Sequence, residues 1–101
     1  MELKSALHRP LGSYLKAKRL ASGLTQHDVS SELGYTTPQF VSNFERGLCS
    51  PPLSALSVLV QLYKIDAEEL IEMIVRHEEQ LLRHSLLGEK KRSSRKLRKA
   101  Q

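Results

Sequence analysis

Apolar residues recur along this chain at intervals of three and four, the spacing of helices that bury one face. Leu11, Leu15 and Leu20 predict a first helix over 11–22, and Gly23 is placed for the left-handed residue just past its end. Val29 and Leu33, four apart, predict a second helix from Thr25 to Leu33. Thr25 is its N-cap, Asp28 three residues on completes a capping box, and Gly34 ends it; Ser30 near the inner face is small enough to allow close helix approach. Val41 and Phe44 predict a third helix from Thr37 to Arg46. Thr37 caps it, Pro38 takes the first helical position, where a missing N–H costs nothing, and Gly47 ends it. Phe40 either packs on a neighbouring helix or lies at the outer surface.

Leu53, Leu56, Leu59, Val60 and Tyr63 predict a fourth helix over 52–63. Asp66 is the N-cap of a fifth, with Glu69 at the capping-box position. In this last helix Leu70, Ile71, Ile74, Val75, Leu81, Leu82, Leu86 and Leu87 recur with no breaker before Gly88. At 1.5 Å per residue, about 20 residues span roughly 30 Å, as wide as a small domain. Its first half is expected to close the core and its second half to overhang. The expected fold is all-α: a compact five-helix domain over 11–75, preceded by a short arm over 1–10 and followed by a helical overhang over 76–88. A basic, disordered tail occupies 89–101.

Composition narrows the classes. A chain of 101 residues with 40% hydrophobic content suits one small domain and excludes wholesale disorder. No apolar run approaches a membrane span and Met1 is not followed by a signal-peptide core, so a cytoplasmic protein with no membrane partner is expected. The single cysteine, Cys49, excludes an internal disulfide and a multi-cysteine zinc site. His8, His27, His77 and His84 show no metal-ligand spacing. There is no glycine-rich phosphate loop and no nucleophile–base constellation. An enzyme is therefore not expected, and no catalytic residue, cofactor or metal is assigned.

Charge divides the chain further. Residues 1–65 carry seven basic residues against four acids, residues 66–88 carry six acids against Arg76 and Arg83, and residues 89–101 carry seven basic residues against Glu89 alone. The tail is either a solvated charge run or a salt-sensitive phosphate binder, and it is also complementary to the acidic stretch Glu68–Glu79.

Two helices joined by a glycine-containing turn, as over 25–47, occur in many small helical proteins. Here both helix starts carry capping residues, the third helix begins with a short polar stretch suited to base edges, and the chain around it is basic. Leu11-Gly12, Arg19, Gly23-Leu24-Thr25-Gln26, Glu32-Leu33-Gly34, Val41-Ser42, Glu45-Arg46-Gly47, Pro52 and the Leu56/Leu59/Val60 set form a joint signature. On these residues the chain over about 11–75 resembles the lambda-repressor-like family, the Xre/Cro-type helix-turn-helix domains that bind double-stranded DNA.

The resemblance implies roles at matching positions. Thr37, Pro38, Gln39, Ser42 and Asn43 would face the bases, with Gln39 and Asn43 the best readers because a carboxamide pairs bidentately with adenine. Pro38 has no donor and at most touches a thymine methyl. Thr25, Gln26, Thr36 and Arg46 would contact phosphates, Gln26 from the first turn of its helix. Arg19 and Glu45 match an internal ion pair. One departure stands out: six residues separate Gly34 from Val41 where the commoner pattern has one fewer, which lengthens the turn at Tyr35-Thr36 and bears on the rotation of the reading face.

The functional expectation is a sequence-specific transcriptional regulator, a repressor on a pseudo-palindromic operator. Dimerisation through Ile74, Leu81, Leu82 and Leu86 would set two reading helices about 34 Å apart. Alternatives are an antitoxin-like regulator whose residues 66–88 bind a partner protein, a long helix that folds back on its own domain, and an interaction module that has lost DNA binding.

Overall fold

The computed structural model describes the backbone of residues 3–88 and the side chains of residues 8–88. Expectations for the basic tail, residues 89–101, lie outside the described residues. The described chain is all-α: α1 (Leu3–Ala21), α2 (Gln26–Leu33), α3 (Gln39–Glu45), α4 (Leu53–Leu62) and α5 (Ala67–Leu82), the last continued by a π-helical turn, Arg83–Leu87.

Local chemistry explains most boundaries. Thr25 Oγ1 accepts the Asp28 N–H at 3.0 Å and Asp28 Oδ2 accepts the Thr25 N–H at 2.9 Å, a complete capping box at the start of α2. These bonds hold the Asp28 carboxyl below its ordinary range. Gly34 closes α2 in the left-handed region at φ 82°, where a side chain would be strained. Asp66 Oδ1 accepts the N–H groups of Glu68 and Glu69 and so caps α5.

Several expectations are corrected. The segment read as an arm is helix: α1 begins at Leu3 and runs through Pro10. Proline removes one backbone bond to the preceding turn, but tertiary packing holds this part of the helix. Gly47 lies so close to α1 that a β-carbon there would stand 2.9 Å from Arg9 Cα. Leu20 is exposed, because a 3.6-residue period brings Arg19, not Leu20, onto the face of Leu11 and Leu15. α3 begins at Gln39, with Pro38 in the cap position and no side-chain cap; Thr37 Oγ1 nonetheless accepts the Gln39 N–H at 3.3 Å. Leu53 is 82% exposed, since the inward row of α4 is Ala55 and Leu59, continued by Tyr63. Glu69 accepts a hydrogen bond from Tyr14 Oη at 3.2 Å, tying α1 to α5; no box-type return bond to Asp66 forms.

The core gathers Leu11 and Leu15 from α1, Val29 from α2, Val41 from α3, Leu59, Tyr63 and Ile65 from α4 and its end, and Leu70 from α5. Each such side chain removed from water contributes about 1.5–3 kcal/mol. α1 packs on α3 and α5, and α2 on α3 and α4. A β-carbon at Gly12 would stand 2.8 Å from the Glu45 carbonyl oxygen and collide with that of Phe44, so only glycine lets α1 cross the end of α3 at this separation.

The long fifth helix is divided differently from expectation. Leu70, Met73 and Ile74 face the core, but Ile71 and Val75 are exposed in its first half. Regular α-helix stops at Leu82, and the π-helical turn carries the chain to Gly88 in the left-handed region. Of the four residues expected at a dimer contact, Ile74 is partly buried against its own core and Leu81 is half-buried, while Leu82 and Leu86 are exposed. No helix among the described residues is long and apolar enough to cross a membrane.

Candidate nucleic-acid interface

Beneath α3 lies a buried polar network. Arg19 Nε donates to Glu45 Oε2 at 2.6 Å, and its Nη2 donates to Glu45 Oε1 at 3.1 Å. Arg19 Nη1 donates to the Leu24 carbonyl at 2.8 Å, and Gln26 Nε2 donates to Glu45 Oε1 at 2.9 Å. The ends of α1 and α3 and the start of α2 therefore meet on one carboxylate, and the Arg19 guanidinium also holds the turn between α1 and α2. A two-pronged guanidinium–carboxylate contact fixes orientation as well as distance. The Glu45 hydrogen bond raises the Arg19 pKa against the opposing effect of burial. Burial pushes the neighbouring Tyr63 hydroxyl up to about 12; the Glu45 charge adds to the shift and Arg19 opposes it.

Gln26 occupies the first turn of α2 as expected, but one amide proton is committed to Glu45. A carboxamide has a second donor proton, and the backbone N–H groups of this first turn add donors of their own.

The outer side of α3 carries an ordered polar row. Gln39 Nε2 donates to Asn43 Oδ1 at 2.9 Å, and Arg46 Nη2 donates to the same oxygen at 3.1 Å. Spacings of four and three place these side chains on one face. Gln39 keeps its oxygen and one N–H, and Asn43 keeps both amide protons. Donors and acceptors therefore face outward together, as base-edge readout requires. Thr36, Thr37 and Pro38 are exposed beside this row and Ser42 is half-buried. The structure brings Pro38, Gln39, Asn43 and Arg46 together along α3 and its start, whereas Thr25 lies in the α2 cap, its hydroxyl oxygen accepting the Asp28 N–H and its own proton left to donate.

The extra turn residue has a definite place. The Tyr35 N–H donates to the Ser30 carbonyl at 2.9 Å and the Gly34 N–H to Ser31 at 3.1 Å, the paired bonds of a helix end closed by a left-handed glycine. The Tyr35 ring then lies 4.8 Å from Phe40 and 6.5 Å from Phe44, centroid to centroid. An aromatic cluster thus steadies the start of α3 in place of a side-chain cap. Sequence reasoning left Phe40 undecided between packing and surface, and it does both: it packs on Tyr35 with the ring planes tilted by 41° and stays 52% exposed beside Gln39. Aromatic residues on both sides of the Thr-Thr-Pro turn were the available signal.

A family model described as a helix-turn-helix domain matches residues 10–73. The chain belongs to this helix-turn-helix family. The match is consistent with the lambda-repressor-like, Xre-type form, and it implies DNA binding. It ends at Met73, so most of α5 and its π-helical turn lie beyond it. No curated protein and no solved structure matches the chain. Among the described residues no cluster of three or more His, Cys, Asp or Glu side chains could hold a metal.

Proposed function

We propose that the chain is a sequence-specific transcriptional regulator that acts as a repressor by occupying a pseudo-palindromic operator. α3 enters the major groove. Gln39 and Asn43 read base edges, Ser42 and Thr37 assist, and Pro38 packs on a thymine methyl. Arg46, Thr36 and the first turn of α2, with Thr25 and Gln26, hold the phosphates that set the register. The observation that carries this reading is the ordered row of exposed Gln39 and Arg46 with half-buried Asn43 between them, on a helix anchored from beneath by Arg19 and Glu45. A dimer through α5 doubles the reading helices to match two half-sites.

The exposed Leu82 and Leu86 also favour a second reading, an antitoxin-like regulator that holds a partner protein on the same helix. Selection of bound sequences from random duplexes with the full chain tests the first reading. Repressor function as a dimer predicts a palindromic consensus with half-sites about one helical turn apart. A single unrepeated half-site would contradict the dimer, and no enrichment would contradict sequence-specific binding.

A further inference from the structure

The part of the chain that carries the helix-turn-helix is poor in the charge that holds a duplex. Up to Gly88, nine basic residues stand against ten acids. Of the four residues assigned above to phosphates, Thr25, Gln26 and Thr36 are uncharged and Arg46 alone is a cation. Arg19 is neutralised inside the fold by Glu45, and Arg83 is paired with Glu79. Sequence-independent affinity for DNA comes from cations that displace condensed counterions. The thirteen residues after Gly88, outside the described part, hold seven such cations against Glu89 alone.

The helix that leads into this tail passes the end of α3. Glu78 lines a cleft of about 630 Å³ with His8 from α1 and with Cys49 and Ser50 from the loop that follows α3. Arg9, next to His8, lies against Gly47 at the end of α3. From Glu78 the helical chain has about 15 Å to run to Gly88. Thirteen further residues reach up to about 45 Å, more than the roughly 34 Å of one DNA turn. Phosphates flanking a groove entered by α3 fall within that span.

Inside the chain, the rival partner for the tail is the acidic stretch of α5. Residues 66–88 carry six acids against Arg76 and Arg83. Over roughly 35 Å of helix this leaves about one net negative charge per 9 Å. A duplex presents one per about 1.7 Å. The duplex therefore outcompetes α5 for the tail.

We propose that residues 89–101 are a second DNA-binding segment, which lies on the phosphate backbone beside the groove entered by α3 and supplies most of the chain's sequence-independent affinity. This rests on DNA binding through α3 and adds the source of its electrostatic strength.

The test replaces the seven tail cations with glutamine in the full chain (Lys90→Gln, Lys91→Gln, Arg92→Gln and the same change at the other four). Affinity is measured across a salt series for the operator duplex from the selection above and for a scrambled duplex of the same length. The slope of log affinity against log salt is expected to become shallower by at least about 3, and low-salt affinity to fall at least about tenfold for both duplexes alike. Unchanged slopes would overturn the proposal. Tighter binding by the glutamine variant would also overturn it, since the tail would then sit on α5. A loss confined to the operator would overturn its sequence independence. If the wild-type chain binds both duplexes alike, with a steep slope that the variant loses, base reading by α3 fails and the tail assignment stands. Binding of neither duplex by the wild-type chain would overturn both.

Discussion

Among the described residues an arginine–glutamate ion pair occurs twice, in opposite settings. Arg19 and Glu45, from different helices, meet at 2.6 Å with side chains 9% and 3% exposed. Arg83 and Glu79, one turn apart on the α5 extension, meet at 3.0 Å with side chains 53% and 57% exposed. The first pair is removed from water and shares its carboxylate with Gln26, so losing either partner strands a buried charge. The second is screened by solvent at every step. Position therefore decides what a pair does: one orients α3, and the other decorates a surface.

Removing the buried carboxylate should break this contrast most strongly. Glu45→Ala is expected to cost about 3–5 kcal/mol in denaturant unfolding because Arg19 and Gln26 lose their acceptor. Replacing Arg19 and Glu45 together with apolar residues should cost less than Glu45→Ala alone. A loss under about 1 kcal/mol for Glu45→Ala would place the pair with the surface class.

Tyr63 sharpens the contrast through pH. Its hydroxyl ionises near 12 in the folded chain, against 10.0 when exposed, so the neutral form is favoured by folding. That contribution is complete below pH 10 and is lost as pH rises toward 12, amounting to about 2–3 kcal/mol. Tyr63→Phe should flatten the alkaline slope of stability in this window, measured by unfolding at a series of pH values. An unaltered slope would show that Tyr63 is not the group responsible.

At the far end, Arg83→Ala should change stability by no more than about 0.5 kcal/mol, and less at high salt. A loss comparable to that of Glu45→Ala would erase the distinction between the two regions.

What could be read from sequence was what is local. Thr25, Asp28, Gly34 and Asp66 act within three or four residues of themselves, and their caps form as their spacing dictates. Contacts between distant segments were not legible in this way. The Arg19–Glu45 pair came from family resemblance; residue pattern alone would have made Arg19 a phosphate ligand. The helix through the segment expected as an arm was not legible, because the packing of Gly47 against Arg9 cannot be seen along the chain. Leu20 and Leu53 are apolar but exposed, since hydrophobicity alone does not fix which face turns inward. In the candidate interface, it was the family resemblance that pointed to Gln39 and Asn43, and their hydrogen bond and the aromatic support from Tyr35 depend on how the lengthened turn folds.

The central claim is that the outer row of α3 reads DNA from a scaffold that does not depend on that row. The most direct measurement is the affinity of the Gln39→Ala, Asn43→Ala double variant for the operator selected by the wild-type chain, with its Tm recorded in parallel. At about 1–3 kcal/mol for each base-reading side chain, operator affinity should fall at least about 30-fold while Tm stays near the wild-type value. Unchanged operator affinity in a folded double variant would contradict the account.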